Sequence, residues 1–168
     1  IGANNVQLRK VDLSNYQYEY GGDRMLGVDS LAESLAANSH LKSLSLSGHT
    51  LTCEDVECLA TALPKKSGLQ KLCLSNCDIS DPGAMAFAKQ IPRMKRLKYL
   101  WLHDNPFGEK GATAILQALE NNWELEQLMI PRGRGMTGDE LQRKIEVHLS
   151  LNRGGRKLLR EHNVPQAL

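Results

Sequence analysis

Few residues in this chain have the types and spacing that catalysis or metal binding needs. His103 and Asp104 adjoin, so the carboxylate could orient the imidazole, but no nucleophile or carboxylate pair stands around them. His103 therefore reads as a surface histidine, and no catalytic residue is assigned. Cys53, Cys58, Cys73 and Cys77 lie five and four residues apart within their pairs, which fits no common zinc spacing. No His-x-x-x-His partner accompanies them, so they read as free thiols in preference to a disulfide or a metal site. There is no glycine-rich phosphate loop either. Neither a metal, a cofactor nor a small-molecule substrate is expected, and the chain is not read as an enzyme. What remains chemically conspicuous is Trp101, one of only two tryptophans, standing between two leucines in "LKYLWLHDN".

The balance of charge narrows the partners. With 21 basic and 19 acidic residues the formal charge is +2, too small to argue for nucleic acid or a membrane surface. No apolar run approaches the roughly 20 residues that span a bilayer. Free thiols and the absence of a visible signal peptide point to a cytoplasmic or nuclear protein. The chain opens "IGANNVQL" without methionine, which suggests a processed or excised chain.

The element that carries Trp101 recurs. "LRKVDLSNY", "LKSLSLSGH", "LQKLCLSNC", "LKYLWLHDN" and "LEQLMIPRG" begin at Leu8, Leu41, Leu69, Leu97 and Leu125, and the last four starts are 28 residues apart. The first gap exceeds this by five, an insertion placed before Val28 in "YEYGGDRML". Between these segments three apolar columns also recur: Val28, Val56, Ala84, Ala112; then Leu31, Leu59, Phe87, Ile115; then Leu35, Leu63, Ile91, Leu119. Their i, i+3, i+7 spacing is one face of a helix of about three turns, whereas Leu-x-Leu alternation is a strand period. Thr52 with Asp55 and Thr137 with Glu140 resemble capping boxes, and Asp81-Pro82 reads as an N-cap followed by proline.

The pattern L-x-x-L-x-L-x-x-N/C-x-L followed by a helix resembles the ribonuclease-inhibitor-like leucine-rich repeats. Leu69, Leu72, Leu74, Cys77 and Ile79 match it, as do Leu97, Leu100, Leu102, Asn105 and Phe107. The resemblance covers about residues 6–135. It implies an α/β solenoid, a horseshoe arc with parallel strands on the concave face, helices on the convex face and a helical C-terminal cap. The array is assigned to residues 1–150 and a capping tail to 151–168. Tyr16 and His49 stand where the pattern has Asn or Cys, which is expected to interrupt the buried hydrogen-bond ladder at that end. Cys77 is expected to be a buried weak donor in its turn, and Cys58 partly buried.

In such an array the residues alternating with the leucines face the hollow. They form three columns: Lys10, Ser43, Lys71, Tyr99, Gln127; then Asp12, Ser45, Cys73, Trp101, Met129; then Ser14, Ser47, Ser75, His103, Pro131. Tyr99, Trp101, His103 and Met129, with Lys71 and Asp12, are the candidate partner-binding residues, because rigid aromatic side chains bury much area at small entropic cost. The serines of the second strand suggest a smooth groove beside an aromatic ridge. Two readings of Trp101 stand side by side: contact with a partner, which is preferred, or cover by neighbours or the C-terminal tail.

Tyr16 and Tyr18 are expected to be partly buried, and Tyr20 with Gly21 and Gly22 at the surface. A tolerated insertion at 16–27 is preferred to a functional one. Lys65, Lys66, Arg93, Lys95 and Arg96 follow the helices and are read as complementing helix dipoles. The tail is moderately basic, with Arg132, Arg134, Arg143, Lys144, Arg153, Arg156, Lys157 and Arg160, and "RGRG" is too short to be an RNA-binding repeat. In the tail, Leu141, Ile145 and Leu149 form one helix face, and Leu158 and Leu159 are candidates to cover the array's edge. "LSLNRGGRKLL" resembles the tail of small leucine-rich-repeat proteins of algae and other protists.

The preferred function is a non-enzymatic module that binds a protein through the concave sheet, with a monomer expected and nucleic acid disfavoured. The alternative is the C-terminal repeat segment of a larger receptor, scaffold or filament-capping protein. Least favoured is a GTPase-activating role through Asn15, Asn76, Asp104 and Asn105, most of which have a turn-forming explanation.

Overall fold

The computed structural model describes residues 5–15, 24–64, 67–131 and 139–155. Strand and helix alternate along them: β1 (Lys10–Asp12), α1 (Val28–Ala37), β2 (Ser43–Ser45), α2 (Cys53–Ala62), β3 (Lys71–Cys73), α3 (Asp81–Ala88), β4 (Tyr99–Trp101), α4 (Glu109–Leu119), β5 (Gln127–Met129) and α5 (Asp139–Arg153). The strands form one parallel sheet in chain order. Lys10, Ser43, Lys71, Tyr99 and Gln127 are ladder partners, and so are Asp12, Ser45, Cys73, Trp101 and Met129. The fold is an α/β solenoid, each coil a strand on the concave side and a helix on the convex side.

A single coil cannot bury its own leucines, so the core forms only by stacking. Leu41, Leu44 and Leu46 are sealed in the interior, and so are their counterparts at 69, 72 and 74 and at 97, 100 and 102. Each such side chain contributes roughly 1.5–3 kcal/mol when buried. From the helices, Val56, Ala84 and Ala112 line one buried row and Leu59, Phe87 and Ile115 another. Leu13, expected inside, is exposed, because β1 is the first strand of the sheet and no described coil lies beyond it. α3 is shorter than three turns and gives way to a 3-10 turn at Ile91–Arg93, which still buries Ile91.

Polar seams hold the coils in register. Asn105 Nδ2 donates to the Leu74 carbonyl of the preceding coil at 2.8 Å, and its Oδ1 accepts from the Cys77 and Ile79 amides at 2.9 and 3.0 Å. Cys77 Sγ donates to the Leu46 carbonyl at 3.2 Å. His49 was expected to break this ladder. Instead its Nε2 lies 2.6 Å from the Leu13 carbonyl, the equivalent acceptor one coil earlier, since the longer imidazole spans the same gap. Tyr16 lies outside the described residues.

A second seam runs where helices return to strands, and the sequence reading missed it. Asn38 Oδ1 accepts from the His40 and Leu41 amides. Asn122 does the same for Glu124 and Leu125, while its Nδ2 donates to the Ile91 carbonyl at 2.7 Å. The signal available was an asparagine three residues before Leu41 and again before Leu125. Asn152, near the end of α5, donates to the Asn122 and Leu125 carbonyls at 3.1 and 2.7 Å. With Ile145 and Leu149 buried, α5 thus closes the last coil. Leu158, Leu159 and the rest of the tail from 156 onward lie outside the described residues, as do Lys65, Lys66, Arg132, Arg134, Thr137 and the tyrosines of the insertion.

Of the caps expected at helix ends, one forms and one needs correction. Thr52 and Asp55 do form a reciprocal capping box. Asp81 is not an N-cap, however: α3 is preceded by Ser80, and Asp81 is its first residue. The Asp81 carboxylate accepts from the Gly108 and Gly111 amides at 2.8 and 2.7 Å, so it caps α4 of the next coil. The basic residues expected after the helices include Arg93, which occupies the last turn of the 3-10 segment following α3, and Lys95 and Arg96, exposed in the loop after it; the last turns of α1 to α4 themselves hold none. Among the described residues no helix is long and apolar enough to cross a membrane.

Candidate interaction surface

Strand alternation turns Leu100 inward and leaves Tyr99 and Trp101 on the concave side, both half-buried. Met129, the ladder partner of Trp101 on β5, is exposed, and His103 is half-buried one turn beyond. Lys71 and Asp12 are exposed on β3 and β1. The six candidate residues therefore share one face, spread across the sheet from β1 to β5. Lys71 leans on the aromatic patch, its Nζ 4.8 Å from the centroid of the Tyr99 ring, a cation–π contact that stiffens both side chains.

Trp101 is not fully satisfied. Its indole N–H is buried without a hydrogen-bond partner among the described residues, a state that costs about 1–3 kcal/mol.

The serine strand is not the inert groove the sequence suggested. Asp12 Oδ1 accepts from Ser14 Oγ at 2.6 Å, and Ser14 Oγ lies 2.6 Å from Ser45 Oγ. The line continues through Ser47 to Cys73 Sγ at 2.9 Å, on to Ser75, and ends where Ser75 Oγ meets His103 Nδ1 at 2.9 Å. This polar line crosses β1 to β4 and fixes the rotamers of the concave floor. The Ser14 hydroxyl, with help from its amide, holds the Asp12 carboxyl below the usual carboxylate range. Above the floor between β1 and β4 lies a cavity of about 500 Å³, lined by Arg9, Lys10, Lys42 and Lys71, by the serines and Cys73, and by Trp101.

His103 stands between the Ser75 hydroxyl and the Asp104 carboxylate, but Ser75 is buried and its hydroxyl is held in the polar line, so no nucleophile is presented to the hollow. His103 Nε2 is 3.6 Å from Asp104, whose backbone is left-handed at φ 57°, a turn position also taken by Asn76 at φ 53° and Gly48 at φ 81°. Those identities are explained by the turn, since Asn, Asp and Gly tolerate that conformation. Asn105 is consumed by the ladder. Cys77 is inert: burial pushes its thiol up to about 12. Cys58 is raised too, by burial and by the Asp29 carboxylate beside it. All four cysteines are free, and among the described residues no group of His, Cys, Asp or Glu is arranged to hold a metal.

Comparison with known proteins agrees with this architecture. A Leucine Rich repeat family model matches residues 37–60 and 67–88. No curated protein matches the sequence significantly. Among solved structures the chain is similar to leiomodin-1 actin-binding site 2, with a TM-score of 0.79 and 19% identity, covering 99% of this chain and 93% of that one. It is also similar to the C-terminal domain of tropomodulin from Caenorhabditis elegans, with a TM-score of 0.75 and 14% identity, covering 96% and 93%. At such identities the likeness speaks for the fold alone. By fold, the chain is a leucine-rich-repeat solenoid.

Proposed function

We propose that this protein is a non-enzymatic interaction module that binds a protein partner on its concave sheet, with Trp101 as the anchor. The observation that carries the reading is Trp101 itself: a large, half-buried side chain on the open face, its N–H unsatisfied, flanked by Tyr99 and exposed Met129. Such clusters supply most of the energy in protein interfaces. His103, Lys71 and Asp12 complete the surface. Capture from native extract with wild-type protein and with Trp101→Ala tests it. Proteins retained by the wild type and lost at least about tenfold by the variant, with the fold unchanged by circular dichroism, are the expected result.

A second reading is favoured by one finding. A structure of matching fold along nearly its whole length is titled an actin-binding site, and another is the C-terminal domain of tropomodulin. On this reading the chain is the repeat segment of a filament-associated protein. Co-sedimentation with filamentous actin and binding to monomeric actin test it, and retention in neither assay contradicts it.

A further inference from the structure

The charge on the concave face is unevenly distributed, and that unevenness selects a partner. At the β4–β5 end Lys98 is neutralised by Glu126, Nζ to Oε1 2.5 Å, and the Glu126 carboxylate raises the Lys98 pKa. At the β1–β3 end Arg9, Lys10, Lys42 and Lys71 line the cavity with no carboxylate of the described residues within ion-pair distance. Asp12 is the sole acid among the residues lining that cavity. Arg9 and Lys42 are steadied there by donating to the carbonyls of His40 and Gly68, each at 3.3 Å. The cavity is therefore an excess of positioned cations over a floor of hydroxyls, with an indole wall at its far side.

We propose that the concave face takes an acidic peptide segment in the polyproline II conformation lying across the strands, its carboxylates on Lys10 and Lys71 and an apolar side chain on Trp101 and Met129. This rests on the concave-face reading above and names the partner's chemistry. Lys10 and Lys71 stand on the same ladder row two strands apart, roughly 10 Å, and a polyproline II chain advances about 3.1 Å per residue with every third side chain on one face. Two carboxylates three residues apart match that spacing. Met129, two strands beyond Lys71, is reached by a residue three further on. Movement of the Trp101 ring under the incoming apolar group brings its unsatisfied N–H to an acceptor. An unpaired row of cations also steers an acidic segment toward the face.

The test uses three fluorescein-labelled peptides: Asp-Ser-Ser-Asp-Ser-Ser-Leu, its twin with Asn for both Asp, and its twin with Ser for Leu. Fluorescence anisotropy is read against wild-type protein, the double variant Lys10→Glu with Lys71→Glu, Trp101→Ala, and Lys89→Glu on the helical side as control. The expected result is saturable binding of the first peptide, weakened about tenfold or more by the double variant, by Trp101→Ala and by either peptide change. Raising salt from about 0.05 M to about 0.3 M weakens it as well, and Lys89→Glu leaves it unchanged. Equal binding of the Asn twin, indifference to the double variant, or no saturable binding overturns the proposal. If that happens while Trp101→Ala still loses captured proteins from extract, the acidic preference is wrong and the concave reading stands. If Trp101→Ala is silent in both assays, both are wrong.

Discussion

Gly111 shows how single atoms set the spacing between coils. A Cβ built there would stand 2.8 Å from the Ala84 Cβ and 2.9 Å from the Asp81 carboxylate oxygen. Gly111→Ala should therefore force α3 and α4 apart and cost about 1–3 kcal/mol in chemical denaturation, although alanine is the better helix former. Cys77 gives a pH signature at the same scale. Its thiol stays protonated in the folded state up to about 12, against 9.0 for the free group. The unfolded chain thus ionises first, so the contribution of Cys77 is complete below about 9 and is lost as pH climbs toward 12. Denaturation midpoints should fall with rising alkalinity, and Cys77→Ala should flatten that fall. An equal alkaline slope in both proteins would show that other groups govern it.

At the scale of the element, two caps with similar sequence signatures work differently. Thr52 caps its own helix, so Thr52→Ala should cost about 1 kcal/mol, largely confined to α2. Asp81 caps its neighbour, so Asp81→Ala should loosen α4 and leave the start of α3 intact. Amide exchange reads the difference: faster exchange at Gly108 and Gly111 is expected for Asp81→Ala, and faster exchange within α3 alone would contradict it. This is also where the sequence was and was not sufficient. The 28-residue period placed every strand and two of the three concave columns as ladder rows, because burial repeats with the coil, whereas in the third column, beyond the strand ends, Ser75 is buried. It misassigned Asp81 and overlooked Asn38 and Asn122, because polar side chains that bond backbone within a turn or between coils leave no periodic apolar trace. It likewise showed the serines as small but not that they join Asp12 to His103.

The whole molecule is a one-dimensional stack whose two sides have opposite characters. The convex side is closed by helix packing and by Asn152 at its end, whereas the concave side keeps Trp101 half-buried and a row of cations with no carboxylate of the described residues in ion-pair distance. On the proposed reading stability and recognition lie on different faces, so a substitution on one should spare the other. The titration of a partner captured from extract against wild-type protein, Trp101→Ala and the convex-face variant Glu57→Ala measures this separation directly. Affinity should fall about tenfold or more for Trp101→Ala and be unchanged for Glu57→Ala, with all three proteins equally stable. Undiminished affinity of Trp101→Ala, or a loss confined to Glu57→Ala, would place the binding surface elsewhere.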